Sequence, residues 1–102
     1  MRQLVVDGEL SGTGVRDTED GFLNLREELG LSTSLSGEIE RWQCEYEEEH
    51  FDRYKDRMKC KSLDREGVLL ARRLKSEKPD DHVRYYSSAY LRYIDIGAFP
   101  DL

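Results

Sequence analysis

Two cysteines, two prolines, two histidines and no long apolar run leave few chemistries open to this chain of 102 residues. Cys44 and Cys60 lack the C-x-x-C spacing of metal or redox motifs and are too few for a disulfide framework, so both read as small hydrophobes on helices. The opening MRQLVVDGEL offers only Leu4, Val5 and Val6 as an apolar run, well short of the roughly 7–15 residues of a signal-peptide core. No segment approaches the roughly 20 apolar residues of a membrane span. A reduced, cytoplasmic setting is therefore expected. Basic residues are also outnumbered, 16 against 22 acidic, for a net charge of −6. Phosphate binding is driven by clustered Lys and Arg, so no direct nucleic-acid partner is expected, and basic proteins are the electrostatic complement.

Aromatic content, by contrast, is ample. Ten per cent aromatics, six of them Tyr, oppose a disordered chain despite charged and hydrophobic shares of 37% each. The length suits one domain with a modest core and little area left for a cofactor cleft.

Three catalytic or ligand motifs fail on inspection. Gly-Thr-Gly at 12–14 follows a strand candidate but lacks a P-loop lysine, and Glu9 and Asp17 would repel phosphate; it reads as turn chemistry, with Gly8, Gly12 and Gly14 supplying positive φ. Glu47 and His50 have the Glu-x-x-His spacing of di-iron bundles, yet no second such motif exists, since Pro79 stands three residues before His82. Neither a metal nor a cofactor is expected. His50 and His82 are the only candidates for an acid–base pair, and nothing marks a nucleophile or an oxyanion hole beside them. The chain reads as no enzyme.

Along the chain, Gln3 to Asp7 is a β-branched run that predicts a buried strand. Leu10 and Val15 flank either a hairpin turn or a loop around an edge. The segment NLREELG predicts one or two helical turns closed by Gly30. Serines and a threonine at 32–36 offer N-caps for a long helix, on which Leu35, Ile39, Trp42, Gln43, Tyr46, His50 and Tyr54 share a face. A break near Cys60–Ser62 separates it from a second helix, capped by Ser62, with Leu63, Gly67, Leu70, Ala71 and Leu74 facing inward and Pro79 ending it. HVRYY predicts a strand beside the first one, AYLRYIDI fits strand or helix, and GAFPDL is expected to be a loosely held tail. The expected fold is α/β: a small single-layer sheet of a few short strands packed against two main helices.

Charge is concentrated. Residues Glu38 to Tyr54 hold seven acidic and two basic side chains, and Lys55 to Lys78 hold nine basic and four acidic. On a helix, Glu38, Glu45, Glu48, Glu49, Asp52 and Asp56 align opposite Trp42. Glu45/Glu49, Glu48/Asp52 and Asp52/Asp56 are like charges at i,i+4, each costing a few tenths of a kcal/mol, about 0.2–0.5. The cationic segment downstream is placed to fold back and neutralise the stripe. Left open, the stripe would speed encounter with a cationic partner.

The succession GELSGTG, LGLS, an IxxW-containing acidic helix, an LDREG helix start and a final VRYYS strand resembles small bacterial immunity proteins encoded beside polymorphic or contact-dependent growth-inhibition toxins. The resemblance implies a cytosolic inhibitor that binds a cognate toxin domain, often a basic nuclease. It transfers no binding residue. The stripe supplies the candidates: Glu45, Glu48, Glu49, Asp52 and Asp56, extended by Asp80 and Asp81, with Tyr86 or Tyr90 as anchors. The alternative is a regulatory or adaptor subunit that docks or dimerises through an apolar helix face.

Overall fold

The computed structural model describes residues 1–97. The chain runs β1 (Gln3–Asp7), β2 (Val15–Asp17), β3 (Gly21–Phe22), α1 (Thr33–Phe51), α2 (Arg57–Glu77), β4 (His82–Ser87) and β5 (Arg92–Ile94). One five-stranded sheet has the order β3-β2-β1-β4-β5. The expected α/β class and the pairing of the first strand with that around Val83 both hold: β1 and β4 are parallel, with Leu4 opposite Val83 and Val6 opposite Tyr85. The other neighbours pair antiparallel. The segment that fitted either period contributes a strand, β5, whose Tyr93 lies opposite Tyr86.

Period-2 alternation in β1 sends Leu4 and Val6 into the main core, where they meet Val15, Leu35, Ile39, Leu63, Leu74 and Tyr85. Ser32 caps α1 as expected, its side chain accepting from the Leu35 N–H at 3.1 Å. The predicted face of α1 is buried through Leu35, Ile39, Trp42, Gln43 and Tyr46. Trp42 anchors it, with its ring edge-on to Tyr46 at 5.4 Å and to Tyr85 at 6.0 Å. Its indole N–H donates to the Leu63 carbonyl at 2.8 Å, which pins the two helices together. Truncating such a buried Trp typically costs about 3–5 kcal/mol.

Below that cluster lies a buried carboxyl with no cationic partner among the described residues. Asp64 accepts from the Tyr46 hydroxyl at 2.7 Å, the Tyr85 hydroxyl at 2.5 Å and the Ser87 hydroxyl at 2.8 Å. The same hydroxyls accept backbone N–H groups from the turn after β4: Ala89 donates to Tyr46 and Tyr90 to Ser87, each at 3.1 Å. One α2 side chain therefore ties α1, β4 and the β4–β5 turn. Gly67 allows α2 this close, since a Cβ there would stand 2.2 Å from the Tyr85 ring.

Several expectations change. The helices part at residues 52–56, not near Cys60–Ser62: Asp52 is the C-cap of α1 and Asp56 the N-cap of α2, accepting from the Lys59 N–H at 3.0 Å. Ser62 lies inside α2, and Tyr54 leaves the α1 face for the connection. NLREELG gives isolated helical turns and no continuous helix: Asn24 Oδ1 accepts the Arg26 and Glu27 N–H groups as an N-cap does, the Glu28 N–H donates to the Asn24 carbonyl and the Gly30 N–H to the Arg26 carbonyl, and Gly30 takes φ 65 at the close, as expected. In the loop after β1 the positive-φ residues are Ser11 and Gly14, not Gly8 and Gly12. The loosely held tail predicted for GAFPDL lies, past Gly97, outside the described residues.

No helix among the described residues is long and apolar enough to cross a membrane.

Candidate functional site

The acidic stripe splits in two. Its N-terminal half lies against α2, and the antiparallel helices meet through ion pairs Glu38–Arg73, Arg41–Glu66 and Glu45–Lys59, the last at 3.1 Å. Arg41 also pairs with Glu45. The hydrogen bond donated by Arg73 holds the Glu38 carboxyl below its usual range, and the one Lys59 donates to Glu45 raises the Lys59 pKa. The downstream basic segment thus neutralises this half within the fold. Glu45, expected to bind a partner, is engaged by two cations of its own chain.

The C-terminal half stays open. Among the described residues, Glu48 and Asp52 make no side-chain hydrogen bond or ion pair, and both are exposed. Glu49 is half-buried with Oε1 unpartnered. Burial, then repulsion by Asp56 and Asp52, raises its pKa despite the attraction of Lys59. Asp56 is not on the α1 stripe at all, but stands beside it as the α2 cap. Asp80 and Asp81 lie elsewhere, in the turn before β4, where Asp81 accepts the Arg2 N–H at 2.8 Å. The structure brings together Glu48, Glu49, Asp52 and Asp56, and leaves Asp80 and Asp81 at the opposite end of the sheet.

Beside the four acids stand side chains that the apolar periodicity did not single out. Phe51 is 74% exposed and Met58 83%, one on each side of the elbow between the helices. Phe51 stacks edge-on to His50, which stacks in turn on Tyr54 and bonds its hydroxyl through Nδ1 at 3.2 Å. His82 opens β4, opposite Gln3, so the two histidines sit at different ends of the sheet and form no pair.

The elbow rims an open cleft of about 860 Å³. It lies outside the carboxyl ends of the parallel strands, where the chain's progression across the sheet reverses between β1 and β4; this is the usual ligand position of open α/β sheets. Its floor is Asp7, 3% exposed, which accepts from the Glu9 N–H (3.0 Å), the Ser88 hydroxyl (2.9 Å) and Arg16 Nε (2.9 Å). Tyr54, Tyr86 and Tyr93 stand around it, with Leu10 and the 76%-exposed Leu91 at the rim. Tyr86 lines the cleft as a candidate anchor; Tyr90 instead lies under Arg57, 5.4 Å from ring centre to guanidinium carbon.

Among the described residues, the four non-glycine positions with positive φ all fall in the three connections at this end: Ser11, Arg53, Tyr54 and Leu91. Each such conformation costs about 1 kcal/mol or more, and strain of this kind clusters at functional sites. No group of three or more His, Cys, Asp and Glu side chains among the described residues is placed to hold a metal ion.

No protein family, curated protein or solved structure matches the chain.

Proposed function

We propose that this chain is a cytosolic inhibitor of the immunity-protein kind, which binds a basic toxin domain, of nuclease type, through the face formed by the elbow and the cleft. The observation that carries this reading is the coincidence, at one end of the sheet, of exposed carboxylates without an ion pair among the described residues (Glu48, Asp52) with exposed Phe51, Met58 and Leu91. Charge in that arrangement steers a cationic partner, and apolar and tyrosine side chains then supply contact area. The binding set is Glu48, Glu49, Asp52 and Asp56. Glu45 is occupied within the fold, and Asp80 and Asp81 are too distant to share the interface.

A non-catalytic role accords with the separation of His50 from His82. An adaptor that docks through an apolar helix face fits less well, because the apolar faces of α1 and α2 are both spent on the core.

The test is co-expression and capture in the native host. The wild-type chain should retain a basic, growth-inhibitory protein and restore growth; the double variant Glu48→Lys/Asp52→Lys should do neither while remaining folded. Retention of the same partner by that variant, or recovery of no basic partner by the wild type, would overturn the proposal.

A further inference from the structure

The cleft has a charge of its own. Arg16 is compensated by Asp7, which it contacts through Nε at 2.9 Å, and this leaves Glu9 as the unbalanced charge in the wall. The Glu9 carboxylate has no ion-pair or hydrogen-bond partner among the described residues and is exposed. Around it stand tyrosine rings, whose negative faces attract cations. Among the described residues tyrosines already receive guanidinium groups three times: Arg16 over Tyr86 at 5.9 Å, Arg57 over Tyr90 at 5.4 Å and Arg84 over Tyr93 at 4.2 Å.

We propose that the cleft at the carboxyl ends of β1 and β4 receives one arginine side chain of the basic partner, with its guanidinium on Glu9 and against Tyr54 and its methylenes along Leu10 and Leu91. The inference rests on the partner reading above and deepens it. An anion would meet Glu9 at the mouth, in the field of a chain carrying −6 overall. A neutral apolar guest would leave the Glu9 charge without compensation. Arginine is favoured over lysine because a planar, weakly hydrated guanidinium stacks on a ring while its N–H groups bond a carboxylate. The open cleft is large enough for one such side chain with water beside it.

The probe is N-acetyl-arginine amide, titrated into the isotopically labelled full chain and followed by NMR, with the neutral citrulline analogue and N-acetyl-glutamate amide as parallel arms. Saturable shifts at Glu9, Leu10, Tyr54 and Leu91 are expected in the millimolar range for a guest this small. Glu9→Gln should weaken them about two- to fivefold, as for an exposed ion pair. The citrulline and glutamate compounds should leave these resonances in place. Absence of a saturable shift with the arginine compound, an equal response to citrulline, or occupation of the cleft by glutamate would each refute the proposal. Glu48→Lys/Asp52→Lys separates the two ideas, since it should abolish partner capture while leaving the arginine-amide affinity within about twofold. Loss of the titration with partner capture intact would refute the arginine site alone.

Discussion

Replacing Asp64 with alanine should be among the most damaging single changes in this protein. Three buried hydroxyls, those of Tyr46, Tyr85 and Ser87, would lose their acceptor together. A buried polar group left unsatisfied costs about 1–3 kcal/mol, and the three share one acceptor, so the losses do not add fully; about 3–5 kcal/mol in all is expected. A domain of this size has only about 5–15 kcal/mol in total. With a urea slope of about 1–3 kcal/mol/M, the unfolding midpoint should fall by roughly 1–5 M. Asp64→Asn keeps an acceptor for both tyrosines, and Ser87 reorients to accept from the new amide, so its cost should stay near 1–2 kcal/mol. Trp42, the sole tryptophan and in edge contact with Tyr46 and Tyr85, reports both transitions by fluorescence. An Asp64→Ala cost below about 1 kcal/mol, or one equal to that of Asp64→Asn, would refute the account of this network. The result bears on the binding face, because the same hydroxyls hold the turn that presents Ser88 and Leu91 to the cleft.

Glu49 predicts a pH signature. Its folded pKa is raised above the ordinary 4.5, so the folded state binds that proton more tightly than the unfolded state and ionisation of Glu49 costs stability. The cost is fully present above the folded pKa and disappears as pH falls below the unfolded one; Glu49→Gln should therefore stabilise the protein at neutral pH, with the gain shrinking through the carboxyl range in urea titrations at stepped pH. Gly67→Ala would drive a methyl into the Tyr85 ring and should cost about 1–3 kcal/mol in the same assay; a neutral outcome would mean that α2 lies farther from β4 than described. Asp56→Ala removes the α2 cap and should cost about 1 kcal/mol, which Asp56→Ser should largely restore; failure of serine to rescue would contradict the capping role.

Much of the fold was legible in the sequence because it is written in periodicity. The apolar spacing of Leu35, Ile39, Trp42 and Tyr46 marked the buried face of α1, and the β-branched run at 4–6 marked the central strand. The elbow was not legible, for a physical reason. Tyr54 continues the phase of α1, and Arg53 and Tyr54 take left-handed conformations that neither residue type announces. Asp56 therefore counted as one more stripe carboxylate when it is a cap, although an Asp three residues before Lys59 is the spacing that N-caps use. The open acids Glu48 and Asp52 were legible from charge patterning. The neutralisation of Glu45 was not, because it depends on which turn of α2 faces α1. The aromatic cleft was hidden most deeply, since Tyr54, Tyr86 and Leu91 come together only once β4 lies parallel to β1.

The central claim is that the elbow, and not acidity in general, recognises a basic partner. The most direct measurement is the association rate of the captured partner as a function of salt, for the wild type, Glu48→Lys/Asp52→Lys and the equal charge change Asp80→Lys/Asp81→Lys. The account predicts a steep fall of the wild-type rate with ionic strength, its collapse in the elbow variant and a near-wild-type profile in the distal one. Equal slowing by both variants, or a rate indifferent to salt, would contradict it.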